Sequence, residues 1–440
     1  MDRLDWRAHV GAPLRGEFDV PGDKSVSHRA VMLGAIAEGE TRIRGFLEGE
    51  DTRATAAIFR RLGVRIDDAG PGERRVHGVG LHGLRDAGAP LDCGNAGTAM
   101  RLLCGLLAGQ GFASTLVGDA SLSRRPMARV ITPLARMGAR IDAGEGGVPP
   151  LTIHANNALQ AIDYSVPVAS AQIKSALLLA GLYARGETRV REPHPTRDYT
   201  ERMLQAFSVP VRIAPGGVAV AGGSRLRAIG IDVPADFSSA AFLVVAASIV
   251  PGSELRLRRV GLGARRTGLL QVLARMGADI RVDAAAADGQ TADLVVRHAP
   301  LHGVEVPEAV VPDMIDEFPA LFAAAAVARG TTTIRGAAEL RVKESDRIAT
   351  MAAALRAMGA GIAETADGAV IRGGRLRGAE VDSHGDHRVA MALAVAAQRA
   401  EGETRIRDCA NVATSFPGFV ALATAAGFGL AEDRATGGVG

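Results

Sequence analysis

GETRIRG, at residues 39–45, recurs almost unchanged as GETRVRE at 186–192 and as GETRIRD at 402–408. Weaker copies open at three further glycines, so that successive openings lie 66 to 78 residues apart: Gly111, Gly252 and Gly330. A second shared segment closes most copies, as in RRLGVRI at 60–66 and ARMGARI at 135–141. Six repeats of about 73 residues therefore account for the whole chain of 440 residues.

Each repeat has the pattern of an α/β module. Its short alternating segments, such as Thr41–Arg44, predict strands, and its apolar runs of about 10–15 residues predict buried helices. A single module of this size cannot bury its apolar faces alone, and two globular domains of three modules each suit usual domain sizes better than a solenoid. The sequence predicts a break near residues 230–234, after the third module.

Composition excludes several classes of protein. Apolar residues make up 47% and charged residues 22% of the chain, which is ordinary for a globular protein and not for a disordered one. The net charge of +3 and the 4% of aromatic residues do not indicate a nucleic-acid-binding surface. Three widely spaced cysteines, with no CxxC pair, do not indicate a disulfide framework or a zinc site.

The sequence also predicts a cytoplasmic location without membrane insertion. The residues from Met1 to Arg7 form no apolar signal core, and they contain too many acids for a transit peptide. The longest apolar stretches, such as Phe242–Val250, fall well short of the ~20 residues needed to cross a bilayer.

Lysine is almost absent, since only three of the 51 basic residues are lysines: Lys24, Lys174 and Lys343. Arginine stands nearly everywhere that a generic positive charge would serve. A retained lysine therefore indicates a position that needs a compact ammonium able to reach a phosphate or to exchange a proton.

Polar residues precede the first helix of each module, and most are ordinary capping types, as at Asp236 and Ser238. Capping does not explain the cations among them, because a cation opposes the helix dipole at that end. These cations are Lys24, Arg29, Arg101 and Arg388. Helix N-termini that tolerate cations predict bound anions, and the pattern as a whole predicts a two-domain enzyme acting on small anionic substrates.

Three motifs carry a resemblance to a known family: PGDKSVSHR at 21–29, GNAGTAMR at 94–101 and RVKESDR at 341–347. With these segments the chain resembles the 5-enolpyruvylshikimate-3-phosphate synthases along its whole length. The resemblance implies transfer of the enolpyruvyl group of phosphoenolpyruvate to the 5-hydroxyl of shikimate 3-phosphate, with release of phosphate, in the shikimate pathway to chorismate and the aromatic amino acids.

The resemblance also implies a fold, which agrees with the six repeats. Two similar globular α/β domains are expected, each of three βαβαββ units about a pseudo-threefold axis. Residues 1–21 and 235–440 would form one discontinuous domain, and residues 22–234 would be inserted in it, with the active site in the cleft between the two.

The residue roles that the resemblance implies fall into three groups. Shikimate 3-phosphate is expected to contact Lys24, Ser25, Arg29, Ser170, Ala171, Gln172, Arg197, Asp316 and Lys343. Phosphoenolpyruvate is expected to contact Lys24, Gly97, Thr98, Arg125, Gln172, Arg347 and Arg388. The catalytic residues would be Asp316 at the 5-hydroxyl, and Glu344 with Lys24 at the phosphoenolpyruvate carbon; Asp313 is not the matching acid. Lys174, one helical turn after Ser170, is expected to have a supporting role.

No cofactor and no metal are expected, nor any nucleic-acid or membrane partner, and the chain is expected to be a monomer. By the same resemblance, Gly97 implies inhibition by glyphosate in competition with phosphoenolpyruvate, because in the family a side chain at this position blocks the longer inhibitor. The chain departs from many relatives at Leu102, where a proline is frequent, and at Thr414, where a lysine is frequent.

Two alternatives differ in substrate or in class. The related UDP-N-acetylglucosamine enolpyruvyl transferases share the fold, but they carry a cysteine where this chain has Ala120. A non-catalytic scaffold could have kept the repeats, but it would be expected to lose at least one of Lys24, Asp316, Glu344 and Arg347, and all four are present.

Overall fold

The computed structural model describes residues 4–263, 265–286 and 289–434. Its internal contacts divide the chain into two compact units, one of residues 22–233 and one that combines the residues up to Pro21 with those from Pro234 onward. The sequence assigned Pro234 to the inserted segment, whereas its contacts group it with the residues that follow.

Within the described residues, every repeat supplies two α-helices, as predicted. Those of the unit 22–233 are α1 (Lys24–Ala35), α2 (Glu50–Arg61), α3 (Gly97–Leu107), α4 (Ala128–Arg136), α5 (Ala171–Gly181) and α6 (Tyr199–Ala206). Those of the other unit are α7 (Phe237–Ile249), α8 (Gly268–Arg275), α9 (Phe318–Val327), α10 (Arg347–Ala357), α11 (His387–Ala397) and α12 (Phe419–Ala426).

The strands are short and follow the helices in a regular order. The first fourteen are β1 (Leu4–His9), β2 (Arg15–Phe18), β3 (Glu38–Arg44), β4 (Arg65–Gly70), β5 (Glu73–Val79), β6 (Leu91–Asp92), β7 (Ser114–Val117), β8 (Ile141–Gly144), β9 (Val148–Ile153), β10 (Asp163–Ser165), β11 (Glu187–Arg191), β12 (Val211–Ala214), β13 (Gly217–Ala221) and β14 (Gly230–Asp232). The others are β15 (Glu254–Gly261), β16 (Asp279–Asp283), β17 (Thr291–Arg297), β18 (Thr331–Ile334), β19 (Gly361–Thr365), β20 (Gly368–Arg372), β21 (Leu376–Arg377), β22 (Glu380–Asp382), β23 (Ala400–Glu401), β24 (Thr404–Arg407) and β25 (Gly429–Arg434).

In the unit 22–233, three four-stranded sheets repeat one plan. Their strand orders are β14-β3-β5-β4, β6-β7-β9-β8 and β10-β11-β13-β12. In each sheet the first pair is parallel and the other two pairs are antiparallel. Strand β14 follows the third repeat but pairs with β3 of the first, so it closes the three repeats into one unit.

The other unit has the sheets β22-β24-β1-β25, β16-β17-β15-β2, β18-β20-β19 and β21-β23. The first strands of the chain, β1 and β2, pair with β24, β25 and β15. These pairings explain why the N-terminal residues group with the second half of the chain.

The recurring glycines have a backbone reason. Five of the six opening glycines have φ between +77° and +106°, in the left-handed region that favours glycine: Gly39, Gly186, Gly252, Gly330 and Gly402. The glycines of the closing segments have φ of +89° to +93°: Gly63, Gly138, Gly277 and Gly359. Glycine thus turns the chain at or just before the strand that opens these repeats, and it turns the chain again after their second helix.

The first helix of each repeat lies in the core. All 13 residues of α7 are buried, as is nearly all of α9 and α11, because these helices are apolar on every side. Their polar N-terminal residues therefore lie at one end of an apolar helix. Among the helices that the structure describes, none combines the length and apolar character that crossing a bilayer requires.

Candidate active site

Helix α1 begins at Lys24. Asp23 caps it by accepting a hydrogen bond from the backbone N–H of Val26 at 3.0 Å. The Lys24 ammonium forms an ion pair with Asp51, a buried acid in the first turn of α2. The pair holds the ammonium beside the start of α1, where the N-terminal end of the helix favours an anion.

One turn further along α1, Arg29 is buried, with 4% of its surface exposed. Its guanidinium donates to Oγ1 of Thr200 at 2.7 Å, to Oγ of Ser175 at 2.9 Å and to the carbonyl of Ser25 at 2.9 Å. Burial lowers the pKa of Arg29 to about 10, although the acids Glu201 and Asp23 oppose that shift. A bound phosphate would favour the charged form of this guanidinium.

The start of α3 brings together side chains from two modules, the second and the third. Gln172, on α5, donates to Oγ1 of Thr98 at 2.9 Å and accepts from Nη1 of Arg101 at 3.2 Å. A Cβ at Gly97 would lie 3.0 Å from Nη1 of both Arg101 and Arg125. The two guanidinium groups therefore crowd the backbone at Gly97, and a side chain at that position would displace them.

Arg125 is oriented by polar side chains. Its Nη2 donates to Oδ1 of Asn95 at 2.7 Å and to Oγ of Ser121 at 3.3 Å. Asn95 in turn donates to the carboxylate of Asp119 at 2.7 Å. This chain of contacts fixes the direction of the guanidinium beside Gly97.

The third helix start in this unit is capped by Ser170, whose hydroxyl accepts from the N–H of Ile173 at 3.4 Å. Ala171 is the first residue of the helix, α5. Arg197 is half-buried in the loop before α6. Its positive charge adds to the effect of burial in lowering the pKa of Arg29. Two cations that repel each other in this way favour an anion near both.

In the other unit, Arg347 begins α10 and is 1% exposed. Its guanidinium donates to three carboxylates: Asp386 at 2.8 Å, Glu344 at 2.6 Å and Asp316 at 3.5 Å. Burial opposes the charge of Arg347, but the three acids outweigh it, and the pKa lies above its usual value. The predicted acids Asp316 and Glu344 are therefore held on one cation.

Two further cations lie around Asp316. The Lys343 ammonium is 3.7 Å from Oδ1 of Asp316 and 2.9 Å from Oε1 of Glu339. Arg388 donates to the backbone carbonyl of Asp316 at 3.2 Å. Asp313 belongs to a different contact, with Arg265 at 3.4 Å.

The structure thus brings the predicted residues together as two sets, one in each unit. The set in the unit 22–233 comprises Lys24, Ser25, Arg29, Gly97, Thr98, Arg125, Ser170, Ala171, Gln172 and Arg197. The set in the other unit comprises Asp316, Lys343, Glu344, Arg347 and Arg388. Among the described residues, no group of three His, Cys, Asp or Glu side chains is arranged to hold a metal ion.

Sequence reasoning missed Asp51 and misread Ser238. Asp51 pairs with Lys24 across 27 residues, and only its place in an acidic helix start, Glu50-Asp51, could have drawn attention to it. The sequence predicts both Asp236 and Ser238 as caps, but Asp236 is the cap, and the Ser238 hydroxyl donates to the buried carboxylate of Glu317. Thr414 is buried and donates to the carbonyl of Asn411 at 2.7 Å.

Comparisons with known proteins agree with one another. The family model of EPSP synthase (3-phosphoshikimate 1-carboxyvinyltransferase) matches residues 9–422. A 3-phosphoshikimate 1-carboxyvinyltransferase of Xanthomonas campestris is 63% identical over 427 residues, which are 97% of this chain and 98% of that protein. One from Xanthomonas oryzae is 62% identical, with 97% of each chain covered.

Solved structures give the same result. EPSP synthase from Acinetobacter baumannii superposes with a TM-score of 0.88 at 48% identity, covering 98% of this chain and 100% of that one. The enolpyruvyl transferase NikO from Streptomyces tendae has a TM-score of 0.80 at 19% identity, covering 99% and 100%, and shows a shared fold. The predicted fold, family and enzyme class are confirmed: the chain belongs to the EPSP synthase family of transferases, the 3-phosphoshikimate 1-carboxyvinyltransferases.

Proposed function

We propose that this chain transfers the carboxyvinyl group of phosphoenolpyruvate to the 5-hydroxyl of shikimate 3-phosphate by means of the two residue sets described above. The observation that carries the proposal is the Arg347 cluster. One buried guanidinium holds Asp316 and Glu344, with Lys343 beside Asp316. Two carboxylates on a common cation suit a reaction that needs one proton acceptor and one proton donor.

The unit 22–233 supplies the groups for the phosphate of shikimate 3-phosphate. Lys24, Arg29 and Arg197 contribute positive charge, and the starts of α1 and α5 contribute backbone N–H groups that point out of the helix. Ser25, Ser170 and Ala171 lie at these two helix starts. A phosphate dianion would offset the charge that burial disfavours at Arg29.

The same unit supplies part of the phosphoenolpyruvate subsite. Gly97 leaves the backbone open beside Arg125, and Gln172 is held in place by Thr98 and Arg101. Arginine binds carboxylate and phosphate groups in a bidentate manner. We assign the second anionic contact of phosphoenolpyruvate to Arg347 and Arg388 of the other unit.

The chemistry proceeds in two steps. In the addition, Asp316 accepts the proton of the 5-hydroxyl as its oxygen bonds to C2 of phosphoenolpyruvate, and Glu344, with Lys24, delivers a proton to C3. In the elimination, Glu344 with Lys24 takes a proton back from C3, the C2–C3 double bond re-forms, and phosphate leaves C2 with the electron pair of the C–O bond, taking up the proton that Asp316 holds. The carboxyvinyl ether and phosphate are the products.

Arg347 links binding to this proton transfer. Nη2 of Arg347 donates to the Glu344 carboxylate at 2.6 Å. Phosphoenolpyruvate is an anion and competes for the same guanidinium. Its binding thereby releases the Glu344 carboxyl for proton exchange with C3.

A substrate comparison tests the proposal. The purified protein should release phosphate from phosphoenolpyruvate only when shikimate 3-phosphate is added, and the carboxyvinyl ether should appear by NMR in equal amount. Release of phosphate with UDP-N-acetylglucosamine instead would show that this compound, and not shikimate 3-phosphate, is the acceptor substrate. No release with either acceptor would refute the proposed reaction.

The proposal includes a monomer in a reducing compartment such as the cytoplasm. Cys93, Cys104 and Cys409 are buried free thiols, and burial raises the pKa of each thiol above its usual value. Such thiols are suited to a reducing environment. Gel filtration with light scattering should give the mass of one chain, 45.5 kDa, and a dimer mass would contradict the expectation.

A further inference from the structure

Lys174 is the third lysine of the chain and has no role in the mechanism above. It lies on α5, one turn after Ser170, with 3% of its surface exposed. Its ammonium is 2.7 Å from Oε2 of Glu192 and 2.7 Å from Oε1 of Glu201, and it donates to the backbone carbonyl of Thr196 at 3.5 Å. Three acceptors thus face the three N–H donors of one ammonium.

This arrangement explains why lysine is retained in a chain rich in arginine. An ammonium can direct its three donors to acceptors that lie around it, whereas a guanidinium directs its donors within one plane. Burial opposes the charge of Lys174, yet Glu201 and Glu192 outweigh it, and the pKa of Lys174 lies above its usual value. The ammonium is therefore charged in the folded protein.

The acceptors of Lys174 belong to the segment that carries the phosphate-binding groups. Glu192 and Thr196 flank the loop before Arg197, and the Thr196 hydroxyl donates back to Glu192. The second acid, Glu201, follows directly on Thr200, which accepts the Nε–H of Arg29. Through these contacts Lys174 joins the 192–198 loop and the start of α6 to helix α5.

A second set of contacts runs parallel to the first. Ser175, the neighbour of Lys174 on α5, accepts from Arg29 at 2.9 Å and from Thr200 at 2.8 Å. Its own hydroxyl donates to the carbonyl of Ala171 at 2.6 Å, at the start of the helix. The positions of Ser170, Arg29 and Arg197 therefore depend on how α5, α6 and the 192–198 loop are held together.

We propose that Lys174 is a positioning residue for the phosphate subsite of shikimate 3-phosphate, acting by fixing the 192–198 loop and the start of α6 against α5. This inference rests on the proposed function. It predicts a loss of affinity confined to shikimate 3-phosphate, because the contacts of Lys174 lead through Glu192 and Thr196 to the 192–198 loop, and through Glu201 to the start of α6 beside Arg29.

The test compares Lys174→Arg, which keeps the charge, with Lys174→Met. Both should raise KM for shikimate 3-phosphate by about tenfold or more, since small displacements of binding groups have effects of this size. KM for phosphoenolpyruvate and kcat should stay within about twofold of the unsubstituted protein. Calorimetry should show the same loss of affinity for shikimate 3-phosphate, and no change for unphosphorylated shikimate.

Two further variants separate positioning from stability. Lys174→Met leaves two buried acids without their cation, so the triple variant Lys174→Met, Glu192→Gln, Glu201→Gln provides a folded protein without the charge imbalance. It should bind shikimate 3-phosphate as weakly as Lys174→Arg. Arg256→Met is the matched control: Arg256 also lies between two acids, Asp283 at 2.8 Å and Asp293 at 2.7 Å, in the other unit, and its loss should leave both KM values unchanged.

The outcomes are distinguishable. Unchanged affinity for shikimate 3-phosphate in Lys174→Arg and in the triple variant, or an equal loss for both substrates, would overturn the positioning role. Absence of turnover by the unsubstituted protein would instead refute the proposed function. The calorimetric comparison does not depend on turnover, and it would still decide the role of Lys174.

Discussion

Arg29 and Arg347 are both buried arginines within the first two turns of a helix, yet their surroundings are opposite. Arg29 donates to two hydroxyls and a carbonyl, and burial lowers its pKa to about 10. Arg347 donates to three carboxylates, and its pKa is raised. The first guanidinium gains most from an anionic ligand, whereas the second already has its counter-charges within the protein.

Within the proposed function, this difference supports separate tasks for the two buried arginines. A cation held by neutral oxygens retains most of its attraction for an incoming phosphate. A cation shared by three acids instead fixes the positions of those acids, which suits proton transfer. The predictions below test this division of tasks, beginning with the acids on Arg347.

Asp316→Asn should lower kcat by about 10³-fold, because the amide cannot accept the hydroxyl proton and general acid–base groups contribute about 10²–10⁴-fold. Asp313→Asn is the matched control, since Asp313 lies three residues away and contacts Arg265 instead. It should leave kcat within about threefold of the unsubstituted value. Stopped-flow measurement of phosphate release gives both values, and equal losses in the two variants would contradict the role of Asp316.

Lys24→Arg tests a cation of the unit 22–233 that is held by an acid, Asp51. A planar guanidinium is bulkier than the ammonium and cannot release a proton at ordinary pH. Activity should fall by more than about tenfold, which corresponds to 1.4 kcal/mol in the barrier. Steady-state kinetics at saturating substrates measures this, and retention of more than a tenth of the activity would indicate that the charge alone is needed.

Gly97→Ala tests the open backbone beside Arg101 and Arg125. The added methyl would lie 3.0 Å from both guanidinium groups, so they must shift slightly. We expect glyphosate to compete with phosphoenolpyruvate in the unsubstituted protein. The substitution should then raise the glyphosate inhibition constant at least about fivefold more than KM for phosphoenolpyruvate, the effect of roughly 1 kcal/mol of overpacking.

Titration of both proteins with glyphosate at several phosphoenolpyruvate concentrations provides the measurement. If the unsubstituted protein is already insensitive at millimolar inhibitor, the residue at 97 does not decide sensitivity. Leu102, which is buried in α3, would then be the residue to substitute next.

The sequence predicted the repeats and the helix starts because both depend on local patterns. Glycines with positive φ recur at fixed places in each repeat, and apolar runs mark the core helices beginning near Lys24, Gly97 and Phe318. The family motifs added the candidate residues. These signals lie within short segments, so a single sequence is sufficient to find them.

The pairing of buried charges could not be predicted in this way. The buried Arg266 pairs with Asp236 and Glu317, and Lys174 pairs with Glu192 and Glu201. Each contact joins residues 18 to 51 positions apart in sequence, and the sequence pattern of an acid says nothing about which cation it will meet. Such pairs are determined by how the modules pack.

His28 provides the test with the smallest expected effect, because it reports on the surroundings of Arg29 alone. It lies on α1 near Lys24 and Arg29, and its Nδ1 is 2.8 Å from the hydroxyl of Thr55. Burial, together with the charges of Lys24 and Arg29, lowers the pKa of His28 well below 6.5. The folded state therefore keeps this imidazole neutral, whereas the unfolded chain protonates it near pH 6.5.

The sign of the pH effect follows from this difference. Below pH 6.5 the unfolded chain binds a proton that the folded protein does not, so the free energy of unfolding falls as the pH falls, by at most about 1.4 kcal/mol per pH unit from this group. His28→Gln removes that contribution. Urea unfolding at pH 7.5 and at pH 5.0 should show the variant less stable at the higher pH, where the contact with Thr55 is lost, and relatively more stable at the lower pH. A stability difference that does not change with pH would mean that His28 can be protonated in the folded state, and that its burial and the charges of Lys24 and Arg29 do not keep it neutral.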